Sequence, residues 1–458
     1  MPSETQPAKR VYDASSIISL TTDKQKMQTR PTQYIPSQYA DGAMHCIGEI
    51  IDNAVDEGDA IGEKGFPITI TFDRATYETT VIDSGRGIPL EKLFDVMTVL
   101  NTSGKMDNGD DTAYSYSGGT YGVGSKCATY LSSTCEVTSF RDGRYLTYQF
   151  EDGDLKSTKK GKSKEHGTIM KFALNPKYVR VDQLDPDVIQ SWIHDKSYNF
   201  PKIKFNYILL DNGKEVKSKV YFDNSFVDLL KQYKPDTEPI IIKNETRKVS
   251  LIKNFGDEEP TEIKVIVDVA LAFSETALDA DADKYITTYA NSIKTYSHGA
   301  ALDGAKEGLV KYFREVAFPK MSKKDQEATP IVPSDITAGI CGVISVKLNK
   351  PNFMGQHKER LNNQEAKLAV KSAVFDALVQ MKPKATAEMF DFIKRVTKGR
   401  VASKKVRKKD MDNAFSKDRP AEYRPIVYNM KTVAPMIILV EGSEICPITT
   451  FRNIMRVA

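Results

Sequence analysis

The chain has 458 residues, 40% of them hydrophobic and 28% charged, with a formal net charge of +4. That is more than one hydrophobic core organises, so two or three domains are expected, and a charge this small does not by itself imply a nucleic-acid partner. No apolar run approaches the ~18 residues of a membrane span, and the N-terminus MPSETQPAKR lacks the apolar stretch of a secretory signal.

Residues 1–38 are polar and irregular, with prolines at 31 and 36, and read as an arm. An amphipathic helix containing GEIIDNAVDE (48–57) follows. At about 100° per residue, Met44, Ile47, Ile51 and Val55 share one side, and His45, Glu49, Asp52, Asn53 and Asp56 share the other. A solvated surface face would account for such a pattern. Glu49 and Asn53, however, project side by side at i, i+4 and lack the alternating opposite charges of a salt-bridged helix, so another use for them is expected. PITITFD (67–73) and ETTVIDSG (78–85) read as strands. The stretch 101–119, NTSGKMDNGDDTAYSYSGG, has no hydrophobic period and forms a loop of the length usually reserved for function or disorder. GVGSKCATYLSS restores a helical pattern, and strands are expected at 135–150 and 168–174.

Prolines 235 and 239 flank a boundary. A second α/β region runs from about 240 to 395, with strands in IKVIVDVALAF and GICGVISVKL and helices near 301–316 and 363–395. From Phe392 to Lys409 there are nine Lys or Arg and no acid, which fits either a solvated linker or a phosphate-binding surface. The five cysteines, Cys46, Cys127, Cys135, Cys341 and Cys446, are scattered and have no metal-ligand spacing, which points to reduced thiols in the cytoplasm and away from zinc.

Two glycine-rich stretches stand out. VIDSGRGIP (81–89) ends a strand in an aspartate followed by two glycines, and YSGGTYGVGSK (116–126) runs into a helix. Glycines let backbone approach an anion, and free amides at a helix start hold phosphate. Either stretch alone is an ordinary turn. In the order Glu49/Asn53, Asp83-x-Gly85-x-Gly87, Gly118-Gly119-x-x-Gly122-x-Gly124, Gly167-Thr168, the set resembles the GHKL ATPases. That family comprises gyrase-type topoisomerases, large heat-shock chaperones, mismatch-repair ATPases and histidine kinases.

The resemblance implies an α+β fold, a two-layer α/β (Bergerat) sandwich, with ATP and Mg2+ as cofactors. It implies that Glu49 takes a proton from the attacking water, that Asn53 holds magnesium, and that Asp83, with Gly87 nearby and Thr168 assisting, accepts from the adenine amino group. Gly118, Gly119, Gly122 and Gly124, with Tyr121 and Val123 between them, would wrap the phosphates, and Lys105 would add a positive charge. Asp52 and Asp56 are expected to support the fold, and His45 to be an unremarkable helix residue.

The arm VYDASSIISLTTDKQKMQTRPTQYIPS (11–37) is similar to that of the type IIA topoisomerases, which implies that Tyr12 and Ile17 reach into a partner subunit's nucleotide site and that ATP binding drives homodimerisation. NFMGQHKERL (352–361) stands where these enzymes carry a Gln-Thr-Lys loop, in the α/β transducer domain that follows the ATPase. Lys358 would contact the γ-phosphate and Gln356 would support it, with His357 replacing the threonine. KTYSHGAALDG (294–304) departs from the usual Gly-Gly-Thr-His segment, leaving His298 without an assigned role. MIILVEGSEICP (436–447) resembles the first strand of a TOPRIM domain, with Glu441 as a magnesium ligand.

The implied domains are an arm (1–38), ATPase (39–237), transducer (238–395), basic linker (396–434) and the start of TOPRIM (435–458). The expected function is the ATPase part of a type IIA topoisomerase, whose dimer closes on double-stranded DNA. Other chains or domains would supply the rest of TOPRIM and the cleavage tyrosine, so this chain alone would not cleave DNA. The motifs sit between bacterial and eukaryotic forms, which resembles the T-even-type phage branch and implies a bacterial host's cytoplasm. The alternatives are a clamp of the chaperone or mismatch-repair type without topoisomerase activity, and a regulatory ATP-binding module, against which Glu49 argues.

Overall fold

A computed structural model describes residues 19–105, 114, 116–119, 122–251, 260–278, 282–355 and 358–414, with 282–283 and 406–414 as backbone. Tyr12, Ile17, Tyr121, Gln356 and Glu441 lie outside the described residues. Residues up to Thr397 form one compact unit; the chain from Lys398 onward forms a second.

The first part of the large unit contains helices α1 (Asp23–Thr29) and α2 (Ala40–Ile61), strands β1 (Phe66–Asp73) and β2 (Glu78–Asp83), and helices α3 (Leu93–Thr98) and α4 (Gly124–Tyr130). Strands β3 (Ser132–Arg141), β4 (Arg144–Glu151), β5 (Asp154–Lys162) and β6 (Gly167–Leu174) follow, then α5 (Pro186–Asn199), β7 (Ile203–Asp211), β8 (Lys214–Tyr221) and α6 (Phe226–Gln232). The eight strands make one sheet in the order β5-β4-β3-β6-β2-β1-β7-β8, antiparallel except for the β1–β7 pair. In β1 the residues Phe66, Ile68, Ile70 and Phe72 alternate inward and share one core with Ile47, Ile51 and Val55 of α2, as period-2 and period-3.6 patterns require. The two-layer α/β arrangement follows: an apolar sheet face covered by helices whose other faces remain available.

The second part contains β9 (Ile240–Leu251), β10 (Thr261–Phe273), β11 (Ile286–Ala290), β12 (Ile293–Lys294), α7 (Ala300–Tyr312), α8 (Lys323–Ala328), α9 (Pro333–Thr337), β13 (Ile340–Lys347), α10 (Gln364–Gln380) and, as far as Thr397, the first half of α11 (Pro383–Ala414). Its sheet runs β12-β11-β13-β10-β9, with β11 and β13 parallel. Helices α7 and α10 pack on each other, and α10 also packs on β9 and β10, over a core that includes Val267, Leu271, Ile344 and Val374.

The helical stretch expected over 363–395 is broken at Met381, whose backbone is extended (φ −64°, ψ 152°) two residues before Pro383. Proline has no N–H and disfavours helical backbone in the residue before it, so α10 ends there and Pro383 opens α11 instead. The following helix then runs through 396–414, so the first half of the expected basic linker is helical.

Candidate active site

Helix α2 carries the polar face singled out in the sequence, and its carboxylates meet cations brought in from four other segments. Glu49 meets Lys358 (3.1 Å), Asp56 meets Lys105 (2.8 Å) and Glu57 meets Arg86 (2.8 Å), while Asp52 pairs with Lys196. No short-range pattern announces these pairs; Lys358 stands 309 residues from Glu49. Each carboxylate is thereby balanced, which burial of a charge requires.

Of these residues Glu49, Glu57, Arg86, Lys105 and Lys358 border a cavity of about 380 Å³. Glu49 and Asn53 of α2 line it, as do Asp83, Gly87, Lys105, Gly119, Gly122, Val123, Gly124, Thr168 and Lys358. Of the described site residues expected from the sequence, only Gly118 does not line it. Gly118 is turned toward the second sheet, where an added Cβ would lie 2.1 Å from Ser292 Oγ, and its N–H donates to Asp56 Oδ1 at 3.4 Å. Ser292 Oγ, with Ile293 Cγ1 at 2.9 Å beside it, leaves no room for a Cβ there without rearrangement.

At one end of the cavity, Asp83 closes β2 and stands in register with Thr168 of β6. The Gly85 N–H donates to Asp83 Oδ1 at 2.9 Å. Burial pushes the Asp83 carboxyl up to about 6, against the pull of the hydrogen bonds from Gly85 and Thr168. Gly87 has φ +71°, and a Cβ there would meet the Phe140 carbonyl oxygen at 2.3 Å, so the turn after β2 admits no larger residue without rearrangement.

At the other end, the start of α4 comes up against the acids of α2: a Cβ on Gly124 would lie 2.5 Å from Glu49 Oε2. Burial pushes the Glu49 carboxyl up, but the Lys358 ammonium, His45 and Lys105 outweigh it and hold it below its ordinary value. His45 thus has an electrostatic bearing on Glu49, with Nε2 at 4.0 Å. Burial pulls the Lys358 ammonium down, but Glu49 prevails and raises it, so the pair is charged on both sides. Lys105 Nζ donates to Asn53 Oδ1 (2.9 Å) and Asp56 Oδ2 (2.8 Å). Asp52 differs: burial outweighs Lys196 and raises it to about 6.

Glu57, Arg86 and Tyr114 carried no expectation from the sequence, yet they form a tight group on the same wall. Arg86 donates from its backbone N–H (2.7 Å) and Nε (2.9 Å) to Glu57 Oε1 and from Nη2 to Oε2, and the Tyr114 hydroxyl donates to Oε2 at 2.6 Å. Burial alone would raise Glu57, but these donors hold it down at about 2. Arg86 occupies an unassigned position within Asp83-x-Gly85-x-Gly87, and its conjunction with the last acid of GEIIDNAVDE was the available signal. His298 is buried on the second sheet, with Nδ1 3.1 Å from Thr288 Oγ1, and does not line this cavity.

A family model described as histidine kinase-, DNA gyrase B- and HSP90-like ATPase matches residues 43–183, and one described as DNA gyrase B matches 224–410. The two matches take in both sheets. The chain belongs to the gyrase B-like GHKL ATPases. The DNA gyrase B protein of Borreliella burgdorferi is 31% identical over 388 residues, covering 81% of this chain and 56% of the relative. The type 2 topoisomerase B protein of Aquifex aeolicus is 29% identical over 378 residues, covering 80% and 44%. The gyrase B-like chain therefore spans about half the length of these curated relatives.

Among solved structures, the topoisomerase IV ATP-binding domain of Francisella tularensis superposes with TM-score 0.61 at 24% identity, covering 82% of this chain and 97% of that one. The 43K ATPase domain of Thermus thermophilus gyrase B gives 0.59 at 23%, covering 84% and 98%. These two likenesses show the shared fold. The gyrase B match over 224–410 also separates the chain from the chaperone and mismatch-repair alternatives. Among the described residues no helix is long and apolar enough to cross a membrane.

Proposed function

We propose that the chain binds and hydrolyses ATP in this cavity as the ATPase part of a type IIA topoisomerase. One observation carries the reading: Glu49 of α2 and Lys358, from the loop after β13, meet at 3.1 Å on the wall of a cavity that also presents Asp83 and the 119–124 glycines. Asp83 and Thr168 hold the adenine amino group, and Gly119, Gly122 and Gly124 turn backbone amides to the phosphates. Lys358 gives up Glu49 for the γ-phosphate, which frees Glu49 to accept the proton of the attacking water.

Asn53 fits a magnesium ligand, because its amide oxygen lines the cavity and already accepts from the Lys105 ammonium. Magnesium is commonly held by few protein ligands together with substrate phosphates. When bound, it neutralises phosphate charge. Closure of a homodimer through the arm around Tyr12 and Ile17 then captures a DNA duplex, with the basic stretch 392–409 along its path. Further chains or domains supply the remainder of TOPRIM, beginning near Glu441, and the cleavage tyrosine.

Steady-state ATPase assays of Glu49→Ala test the reading. Turnover should fall by roughly two to four orders of magnitude, as for loss of a positioned general base, while a non-hydrolysable ATP analogue still binds. Turnover within a few-fold of wild type would refute the role of Glu49.

A further inference from the structure

The short turn between β11 and β12 belongs to the second sheet, yet it touches the glycine-rich loop of the first. Asn291, at its apex, is fully buried and has φ +54°, a conformation that non-glycine residues adopt when neighbouring bonds compensate. Its polar groups are all engaged. The side-chain Nδ2 donates to the Ser117 carbonyl (2.8 Å) and the Leu348 carbonyl (3.0 Å), and Oδ1 accepts from the Leu348 N–H (2.9 Å). The backbone N–H donates to the Val346 carbonyl (2.8 Å), and the backbone carbonyl accepts from Asn199 Nδ2 (2.9 Å).

Ser117 opens the glycine-rich loop, and it is held from the other side as well. Its Oγ donates to Asp56 Oδ2 at 2.7 Å and accepts from the Gly119 N–H at 3.1 Å. Next along the turn, the Ser292 carbonyl accepts from Lys196, which also pairs with Asp52 of α2, and the Ser292 side chain fills the space beside Gly118. The loop is thus clamped between α2 and the turn of the second sheet, with Gly119, the first residue of the loop to line the cavity, immediately beyond the clamp.

We propose that Asn291 is a positioning residue for phosphate recognition: by holding the Ser117 carbonyl it sets the glycine-rich loop in its phosphate-binding place and ties that place to the second sheet. This goes beyond Lys358, because it gives the second sheet a separate hold on the nucleotide site, and it rests on the ATP reading above. The clamp acts at the phosphate end only. The clamp's hydrogen bonds run to Asp56, Ser117, Gly119 and Lys196 and not to Asp83 or Thr168 at the adenine end, so adenosine and ATP should report differently.

The test titrates the full chain with adenosine and, in magnesium, with a non-hydrolysable ATP analogue. Asn291→Gly keeps the left-handed backbone accessible and removes the amide. It should bind adenosine as wild type does and the analogue about tenfold more weakly, the scale of the one bond of its three that reaches the loop, the Ser117 carbonyl being left unpaired, and its KM for ATP should rise more than its kcat falls. As a second probe, Gly118→Ala places a methyl against Ser292 Oγ and should also weaken the analogue selectively, and adding Ser292→Gly should recover part of the loss. Unchanged analogue affinity in Asn291→Gly, equal loss of adenosine and analogue, or a Gly118→Ala defect that Ser292→Gly does not relieve would each overturn the proposal while leaving the ATP site standing. A wild-type chain that binds neither ligand would overturn the ATP reading and this proposal with it.

Discussion

Replacing Lys358 by Met removes the cation that balances Glu49 and leaves the carboxylate enclosed, with His45 Nε2 4.0 Å away on α2. The Lys358 and Glu49 side chains are 7% and 16% exposed, so their attraction is only partly screened. At 3.1 Å and an effective dielectric constant of about 20, Coulomb's law gives a ceiling of ~5 kcal/mol. Because the pair borders an open cavity, about half of that, ~2 to 3 kcal/mol, is the expected coupling.

The assay is a double-mutant cycle of Lys358→Met and Glu49→Gln, read by urea unfolding of the single tryptophan, Trp192. That ring packs against α2, where a Cβ on Gly48 would lie 3.2 Å from it. The Glu49 carboxyl is lowered below 4.5 in the fold, so its contribution is present above pH 4.5 and is lost as pH falls through the folded value. The Lys358 ammonium is raised above 10.5, so its contribution is complete below pH 10.5 and is lost as pH rises through the folded value. The coupling should therefore be full at pH 7 and fade in acid. Single variants that add within about 0.5 kcal/mol at pH 7 would refute the pairing.

Two more outcomes follow. Asp83 is raised to about 6, so it is neutral below that pH and disfavours the fold increasingly as pH rises from 3.8 through 6; because adenine needs its ionised form, adenosine affinity should drop about tenfold per pH unit below ~6, the Asp83→Asn variant should show no such slope, and a flat wild-type profile from pH 7.5 to 5 would sink the assignment. Deleting residues 1–18, which include Tyr12 and Ile17, should abolish the dimerisation that an ATP analogue induces in the full chain, as followed by sedimentation, and an unaltered dimer would remove the arm from the mechanism.

The parts of the fold that could be read in the sequence are those where one face is buried. The strand patterns of PITITFD and ETTVIDSG and the helical period of 44–55 gave β1, β2 and α2 because burial on one side imposes those periods. The sheet edges were not readable in the same way. Strands β5 (DLKSTKKGK) and β8 (KEVKSKVY) are mostly exposed and rich in lysine, as edge strands often are, so they carry no apolar period. The site divides similarly. Glu49, Asn53, Asp83 and the glycines stand in short motifs, and the structure gathers Glu49, Asn53, Asp83, Gly87, Gly119, Gly122 and Gly124 around one cavity. The cations opposite the α2 acids, and Asn291 beneath the loop, come from segments whose proximity only the tertiary fold creates. Arg86 was visible but had no evident partner until Glu57 was seen beside it.

ATP binding with magnesium at Asn53 is tested most directly by calorimetric titration of the full chain with a non-hydrolysable ATP analogue in magnesium, for wild type and Asn53→Ala in parallel. One analogue should bind per chain, with a magnesium-dependent affinity that Asn53→Ala loses. Absence of binding by the wild type, or equal magnesium-dependent binding by both, would contradict the assignment of this cavity as the ATP site.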